Sequence, residues 1–217
     1  AKALIQGMNT AGANVIDIGL IDTPQMYFAI NYLGTCGGVQ VTASHNPAQY
    51  NGFKISGQQA KPVGADTGLK DIKHIALALL HTKGRGEGGV EHCDLSQEYK
   101  KHVLKFLEPA RRSLKIVVDA SSGMAGKMVP IIFGDLKNIE LIGLNFKHDG
   151  TFKHDPNPLV EANLQELKQT IHDKKADFGF CFDGDADRLM MVDEKGGTVP
   201  CDLMAALMVP YFLKKYP

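Results

Sequence analysis

The feature that most restricts the fold is a strand–helix alternation that begins after residues 108–113, EPARRS. LKIVVD reads as a strand, and SSGMAGKMVPIIFG as a Gly-rich turn running into a helix. IELIGLNF reads as a second strand, and residues 161–175 as an amphipathic helix with Leu164, Leu167 and Ile171 on one face. DFGFCF and LMMVDE are two further strands, and they flank DGDADR. Strands alternating with helices imply a mostly parallel sheet covered on both faces by helices, an α/β architecture.

Upstream the same grammar recurs less regularly. Residues 1–11 read as a helix, 14–20 (NVIDIGL) as a short strand, and 25–33 as a helix with Thr23 as cap and Pro24 at its start. Residues 38–42 read as a nearly continuous apolar strand of the buried kind, followed by the polar loop SHNPAQYNG and then FKIS, and 66–80 and 95–107 read as helices joined by the flexible KGRGEGG loop. Residues 202–215 begin one more helix. The start without Met, inside a helical pattern, and the stop at KKYP read as a piece of a longer polypeptide.

Composition narrows the function. Lys+Arg and Asp+Glu both number 24, a formal charge of +0, without the basic excess of a nucleic-acid binder. No apolar run reaches the ~18 residues of a membrane span. Cys36, Cys93, Cys181 and Cys201 form no CxxC pair, and isolated thiols without a signal peptide point to a reducing cytoplasm.

Two loops carry chemistry. In TASHNP (42–47), followed by YNGFK (50–54), Ser44 is placed to act as nucleophile or phosphoryl carrier at the end of a strand. The same residues, taken alone, also serve simply to build two turns. No G-x-S-x-G elbow supports a serine hydrolase. In DGDADR, Asp183, Asp185 and Asp187 put three carboxylates at alternate positions beside apolar strands, an arrangement that calls for a cation. As an EF-hand the loop would also place Glu194 at position 12, but Arg188 occupies the turn position that needs Gly, and the flanks are strands. Three hard oxygens with room for a phosphate oxygen suit Mg²⁺. Arg188 reads either as a phosphate or sugar ligand or as a structural ion-pair partner.

Other residues read as structural. His148 and His154 bracket DGTFK, with Asp149 and Asp155 nearby, but without zinc-ligand spacing they are expected to be loop histidines. Cys181 reads as a buried small hydrophobe, and GMAGK lacks phosphate-loop spacing. Lys73, Lys83, Arg85, Lys100 and Lys101 read as solvated charges.

TASHNP with YNGFK, together with DGDADR with VDEKGG, resembles the α-D-phosphohexomutase family, in its phosphomannomutase/phosphoglucomutase branch. GADTGL, VVDASSGMAG, DGTF and PNPLVEANL follow in family order, so the likeness covers almost the whole chain. The resemblance implies two α/β domains with mixed, largely parallel sheets covered by helices: domain one over 1–108, incomplete at its N-terminus, and domain two over 109–200, with 201–217 the first helix of a third. It implies that Ser44 carries the phosphoryl group, that Asp183, Asp185 and Asp187 with a phosphoserine oxygen bind Mg²⁺, that Lys54 and Arg188 lie close to the transferring phosphate, and that His45 and Asn46 flank the carrier toward substrate. The implied reaction interconverts hexose 1- and 6-phosphates of mannose or glucose through a hexose 1,6-bisphosphate, with Lys54 or a histidine as base.

The implied partners are a phosphorylated hexose and domains three and four, which bring the sugar-reading and phosphate-clamping loops. No nucleic acid or membrane is implied, and the isolated piece is expected to lack mutase turnover. Ala186 stands where many members have Gly, a change expected to be harmless, and Lys153 replaces a common Pro. The alternatives are a phosphoglucosamine mutase, a non-catalytic phosphosugar or Mg²⁺ module, and a Ca²⁺ module.

Overall fold

The computed structural model describes residues 1–79, 84, 86–108 and 110–215. The expected helix end at Leu80 and the loop cations Lys83 and Arg85 lie outside the described residues. Contacts divide the chain into two compact units, Ala1–Thr42 with Asn51–His102 and Ala43–Tyr50 with Val103–Pro217.

The first unit opens with α1 (Lys2–Thr10), β1 (Val15–Asp17), α2 (Thr23–Leu33), β2 (Gly37–Val41) and β3 (Phe53–Gly57). A π turn over Ala65–Leu69 leads into α3 (Lys70–Ala78), and β4 (Val90–His92) and α4 (Ser96–Leu104) follow. β1 pairs with β4 in parallel and β2 with β3 antiparallel, each pair its own two-stranded sheet. Residues 38–42 were expected to be a buried strand; β2 is only half-buried, and among the described residues it pairs with β3 alone. The cap of α2 is Asp22, one residue before the expected Thr23, with its Oδ1 accepting the Gln25 N–H at 2.8 Å. An oxygen at that position satisfies an otherwise orphaned helix donor, worth about 1 kcal/mol. Ile21, Met26 and Ile30 form the small core beneath this helix.

The second unit contains β5 (Leu114–Asp119), α5 (Ala125–Phe133), β6 (Ile139–Leu144), α6 (Gln165–Lys174), β7 (Phe178–Phe182), β8 (Leu189–Asp193), β9 (Thr198–Val199) and α7 (Cys201–Lys215). Its five strands run in the order β6-β5-β7-β8-β9. The first three are parallel; β7–β8 and β8–β9 are antiparallel, because the chain returns directly through the Asp loop and then through the turn at 194–197 instead of through crossover helices. The sheet is therefore mixed, as expected.

Alternation sorts the side chains between two cores. Val117, Cys181, Met190 and Val192 pack with Leu164, Leu167 and Ile171 under α6. Ile116 and Val118 pack with Ala125 and Val129 of α5, flanked by Phe178, Phe180 and Phe182. Burial of each such aliphatic side chain contributes about 1.5–3 kcal/mol. β5 and β7, adjacent and parallel, end on Asp119 and just before Asp183, so both carboxylates stand at the carboxyl edge of the parallel strands, where α/β sheets bind ligands. Among the described residues no helix is long and apolar enough to cross a membrane.

Candidate metal and phosphoryl site

The eight residues Ala43–Tyr50, which hold Ser44, His45 and Asn46, group with the second unit. The loop is tied locally: the Asn46 N–H and its side-chain amide both donate to the Ala43 carbonyl, at 3.0 and 2.8 Å, and the Tyr50 N–H donates to Pro47 O at 3.0 Å. Ser44 has φ +55, the left-handed region that costs a non-glycine residue about 1–2 kcal/mol. In that conformation its hydroxyl donates to Asp183 Oδ2 at 3.0 Å. His45 Nδ1 lies 3.5 Å from the same hydroxyl.

Asp183 is fully buried at the end of β7 and organises the turn that follows. Its Oδ1 accepts the N–H groups of Asp187 and Arg188 at 3.1 and 3.2 Å, and its own N–H donates to Arg188 O at 3.1 Å. The Ala186 N–H donates to Asp183 O at 3.2 Å, which closes the turn with Ala186 at φ +58. Ala186, expected to be harmless, thus sits where only glycine is free of backbone strain. Gly184 has no room for a side chain, since a Cβ there would lie 2.5 Å from the Ser44 carbonyl oxygen.

The turn brings one oxygen each of Asp183, Asp185 and Asp187 within 4.8 Å of one another, the first two buried and the third exposed. At that separation, two buried carboxylates repel by roughly 3 kcal/mol at an effective dielectric of about 20. Burial, and then the charge of Asp185, push the Asp183 pKa up to about 6, against the opposing N–H donation from Arg188 and the hydroxyl of Ser44. A divalent cation would relieve both causes. The donor set is all carboxylate oxygen, which fits a hard ion such as Mg²⁺ and not zinc. Glu194, the twelfth position of the EF-hand reading, lies past the end of β8, and among the described residues it is not in the carboxylate cluster.

The expected site residues therefore divide. Ser44, His45, Asp183, Asp185 and Asp187 are brought together, and Asn46 shapes the serine loop. Arg188 follows the Asp loop with an exposed side chain, and its main chain holds Asp183. Lys54 lies on β3 of the first unit, opposite Gln40. Cys181 is fully buried, its thiol pushed up to about 12 by burial. His154 is not a plain loop histidine: its side chain is largely buried against Asp119, a partner 35 positions away that no local spacing announces.

Residues 1–80 match the phosphoglucomutase/phosphomannomutase alpha/beta/alpha domain I, and residues 97–197 match domain II. A phosphomannomutase of Vibrio cholerae serotype O1 is 36% identical over 220 residues, covering 99% of this chain and 48% of the relative. A Xanthomonas campestris protein named for phosphohexose mutases is 36% identical over 218 residues, with 100% and 48% coverage. The crystal structure of a phosphoglucomutase/phosphomannomutase family protein from Burkholderia thailandensis superposes with a TM-score of 0.88 at 33% identity, over 100% of this chain and 48% of that one. The chain spans about half the length of the curated relatives it matches.

Proposed function

Because the chain belongs to the phosphoglucomutase/phosphomannomutase family, we propose that it carries the phosphoryl-transfer centre of a phosphohexomutase, which interconverts hexose 1-phosphates and 6-phosphates of mannose or glucose. The observation that carries this reading is the 3.0 Å hydrogen bond from the Ser44 hydroxyl to Asp183, across 139 positions of sequence. A phosphoryl group on Ser44 would meet the carboxylate cluster directly.

Asp183, Asp185 and Asp187, with an oxygen of phosphorylated Ser44, would hold Mg²⁺. When bound, the ion supplies neutralisation of phosphoserine charge and polarisation of the phosphoryl group. Everything else falls to side chains. The left-handed backbone at Ser44 presents its oxygen toward Asp183. Transfer breaks the bond from phosphorus to Ser44 Oγ and forms one to a sugar hydroxyl oxygen, whose proton goes to a base. Of the bases expected, Lys54 or a histidine, His45 stands near Ser44 Oγ. The resulting hexose 1,6-bisphosphate returns its other phosphoryl to Ser44, and the net change is isomerisation. Lys54 and Arg188 are the cations proposed to offset the charge of the transferring phosphoryl group, with Asn46 beside the carrier. The phosphorylated hexose is the partner, together with domains three and four of the family, and the compartment is the cytoplasm.

Intact-mass spectrometry after incubation with glucose 1,6-bisphosphate and Mg²⁺ tests the proposal. One added phosphoryl group in the native chain, absent from Ser44→Ala, is expected. No adduct, or an adduct that persists in Ser44→Ala, would overturn it.

A further inference from the structure

Behind the Asp loop lies a second group of polar residues that the proposed reaction does not use. Asp119, at the end of β5, is completely buried yet fully engaged. Its Oδ1 accepts the Ser121 N–H at 2.9 Å and the Asn145 amide at 3.0 Å, and its Oδ2 accepts His154 Nε2 at 3.1 Å. The other ring nitrogen of His154 faces the Asp155 carbonyl at 2.9 Å. Both nitrogens therefore meet acceptors, which is the arrangement of an imidazolium countering a buried carboxylate. The hydrogen bond to Asp119 is the chief cause that raises the His154 pKa, against the opposing effect of its own burial.

The ion pair holds a turn that is otherwise unfavourable. Ser121 and Ser122 follow each other in the left-handed region, at φ +47 and +55, and Asn145, which ties them down, is itself at φ +53. Each such non-glycine residue costs about 1–2 kcal/mol, so the turn persists only because its surroundings over-determine it. Asp119 fixes the Ser121 N–H, the Ser122 N–H donates to Asn145 O at 2.9 Å, and the Gly123 N–H donates to Ala120 O at 2.7 Å.

What the strained turn presents is two donors. The Ser121 hydroxyl donates to Phe182 O at 2.5 Å, and the Met124 N–H donates to Gly184 O at 2.9 Å. Phe182 and Gly184 are the two neighbours of Asp183. Gly123 allows the approach, since a Cβ there would lie 2.5 Å from Gly184 O.

We infer that Asp119 and His154 are positioning residues for the metal centre: through Ser121 and Met124 they clamp the main chain on both sides of Asp183 and so set where its carboxylate and that of Asp185 stand. The inference rests on the metal reading of the Asp loop, but it concerns residues that would touch neither ion nor sugar. Outer hydrogen-bond partners of this type typically change metal affinity by about 10–100-fold.

The test uses the 217-residue chain and two readouts. The first is Mn²⁺ titration followed by the electron paramagnetic resonance of the free ion. The second is hydrogen exchange of the metal-free chain, read at the Asp187 and Arg188 amides that Asp183 Oδ1 holds. Ser121→Ala and His154→Ala are expected to weaken Mn²⁺ binding about tenfold. Both should speed exchange at those two amides while β6 and α6 keep theirs. His154→Gln, whose amide can donate to Asp119, should recover most of the loss.

Native affinity and native loop exchange in Ser121→Ala would overturn the inference. So would a uniform rise in exchange across the second unit, which marks a merely structural role. Should His154→Ala not fold, Ser121→Ala, the loss of one hydroxyl, still decides. If Asp185→Asn binds Mn²⁺ as the native chain does, the metal reading fails, and the exchange readout still supports or refutes the clamp.

Discussion

Gly184→Ala separates the serine loop from the Asp loop without touching a charged group. The new Cβ would stand 2.5 Å from the Ser44 carbonyl oxygen, where ordinary contact begins at 3.4 Å, so one loop must retreat by about 0.9 Å. The Asp loop is clamped from both sides by Ser121 and Met124, whereas Ala43–Tyr50 is closed mainly by its own turns. Ser44 is therefore the part expected to give. Its hydroxyl now lies 3.0 Å from Asp183 Oδ2, and a retreat of that size carries the pair beyond hydrogen-bonding reach. Overpacking should destabilise the second unit by about 1–3 kcal/mol, a shift of several degrees in Tm.

The larger effect is on transfer, because a misplacement of about 1 Å can cost about 100-fold in rate. The assay is an intact-mass time course of Ser44 phosphorylation by glucose 1,6-bisphosphate with Mg²⁺. The variant should be phosphorylated about 100-fold more slowly, with Mn²⁺ affinity of the unphosphorylated chain near native. Gly7→Ala, where nothing lies within 4 Å of the added carbon, serves as the control. Phosphorylation of Gly184→Ala within threefold of the native rate would refute the reasoning.

Ser44→Ala should abolish phosphorylation while its unfolding midpoint in urea stays close to native, since one loop hydroxyl is lost; a large fall in midpoint would assign Ser44 a structural role. Ala186→Gly should stabilise the chain by up to about 1 kcal/mol in denaturant, because it relieves the left-handed backbone at φ +58; destabilisation would show that the strain is offset by the methyl group's packing. Asp183 binds its proton more tightly folded, at about 6, than its ordinary 3.8, so its contribution is full below about pH 4 and is lost as pH rises through 6. Urea midpoints of the metal-free chain should fall over that window, and saturating Mg²⁺ should flatten the fall; an increase with pH would contradict the assignment. His154, whose pKa is also raised, should extend the decline through and above 6.5, and His154→Gln should remove that part.

Local sequence determined the elements and the chemistry of each loop. The period of LKIVVD and DFGFCF marked strands, Leu164, Leu167 and Ile171 marked one helix face, and alternate aspartates called for a cation wherever the chain placed them. β4 and β9, three and two residues long, gave no periodic signal because a period of two needs more positions to register. Tertiary structure decided the pairings. That Ser44 would meet Asp183 was implied by the family resemblance and by nothing local in the residues, whereas whether His154 would be idle or carry the counter-charge of Asp119 depended on strand order and on which loops share the carboxyl edge of the sheet. Those contacts span 139 and 35 positions, and neither leaves a trace in its own neighbourhood. A hydrogen bond between distant residues is specified by the path of the backbone; β5, which ends on Asp119, is held by the hydrophobic cores under α5 and α6. The strain at Ser44, Ser121, Ser122 and Ala186 was hidden for the same reason: propensity steers non-glycine residues away from the left-handed region, and only packed surroundings hold them there.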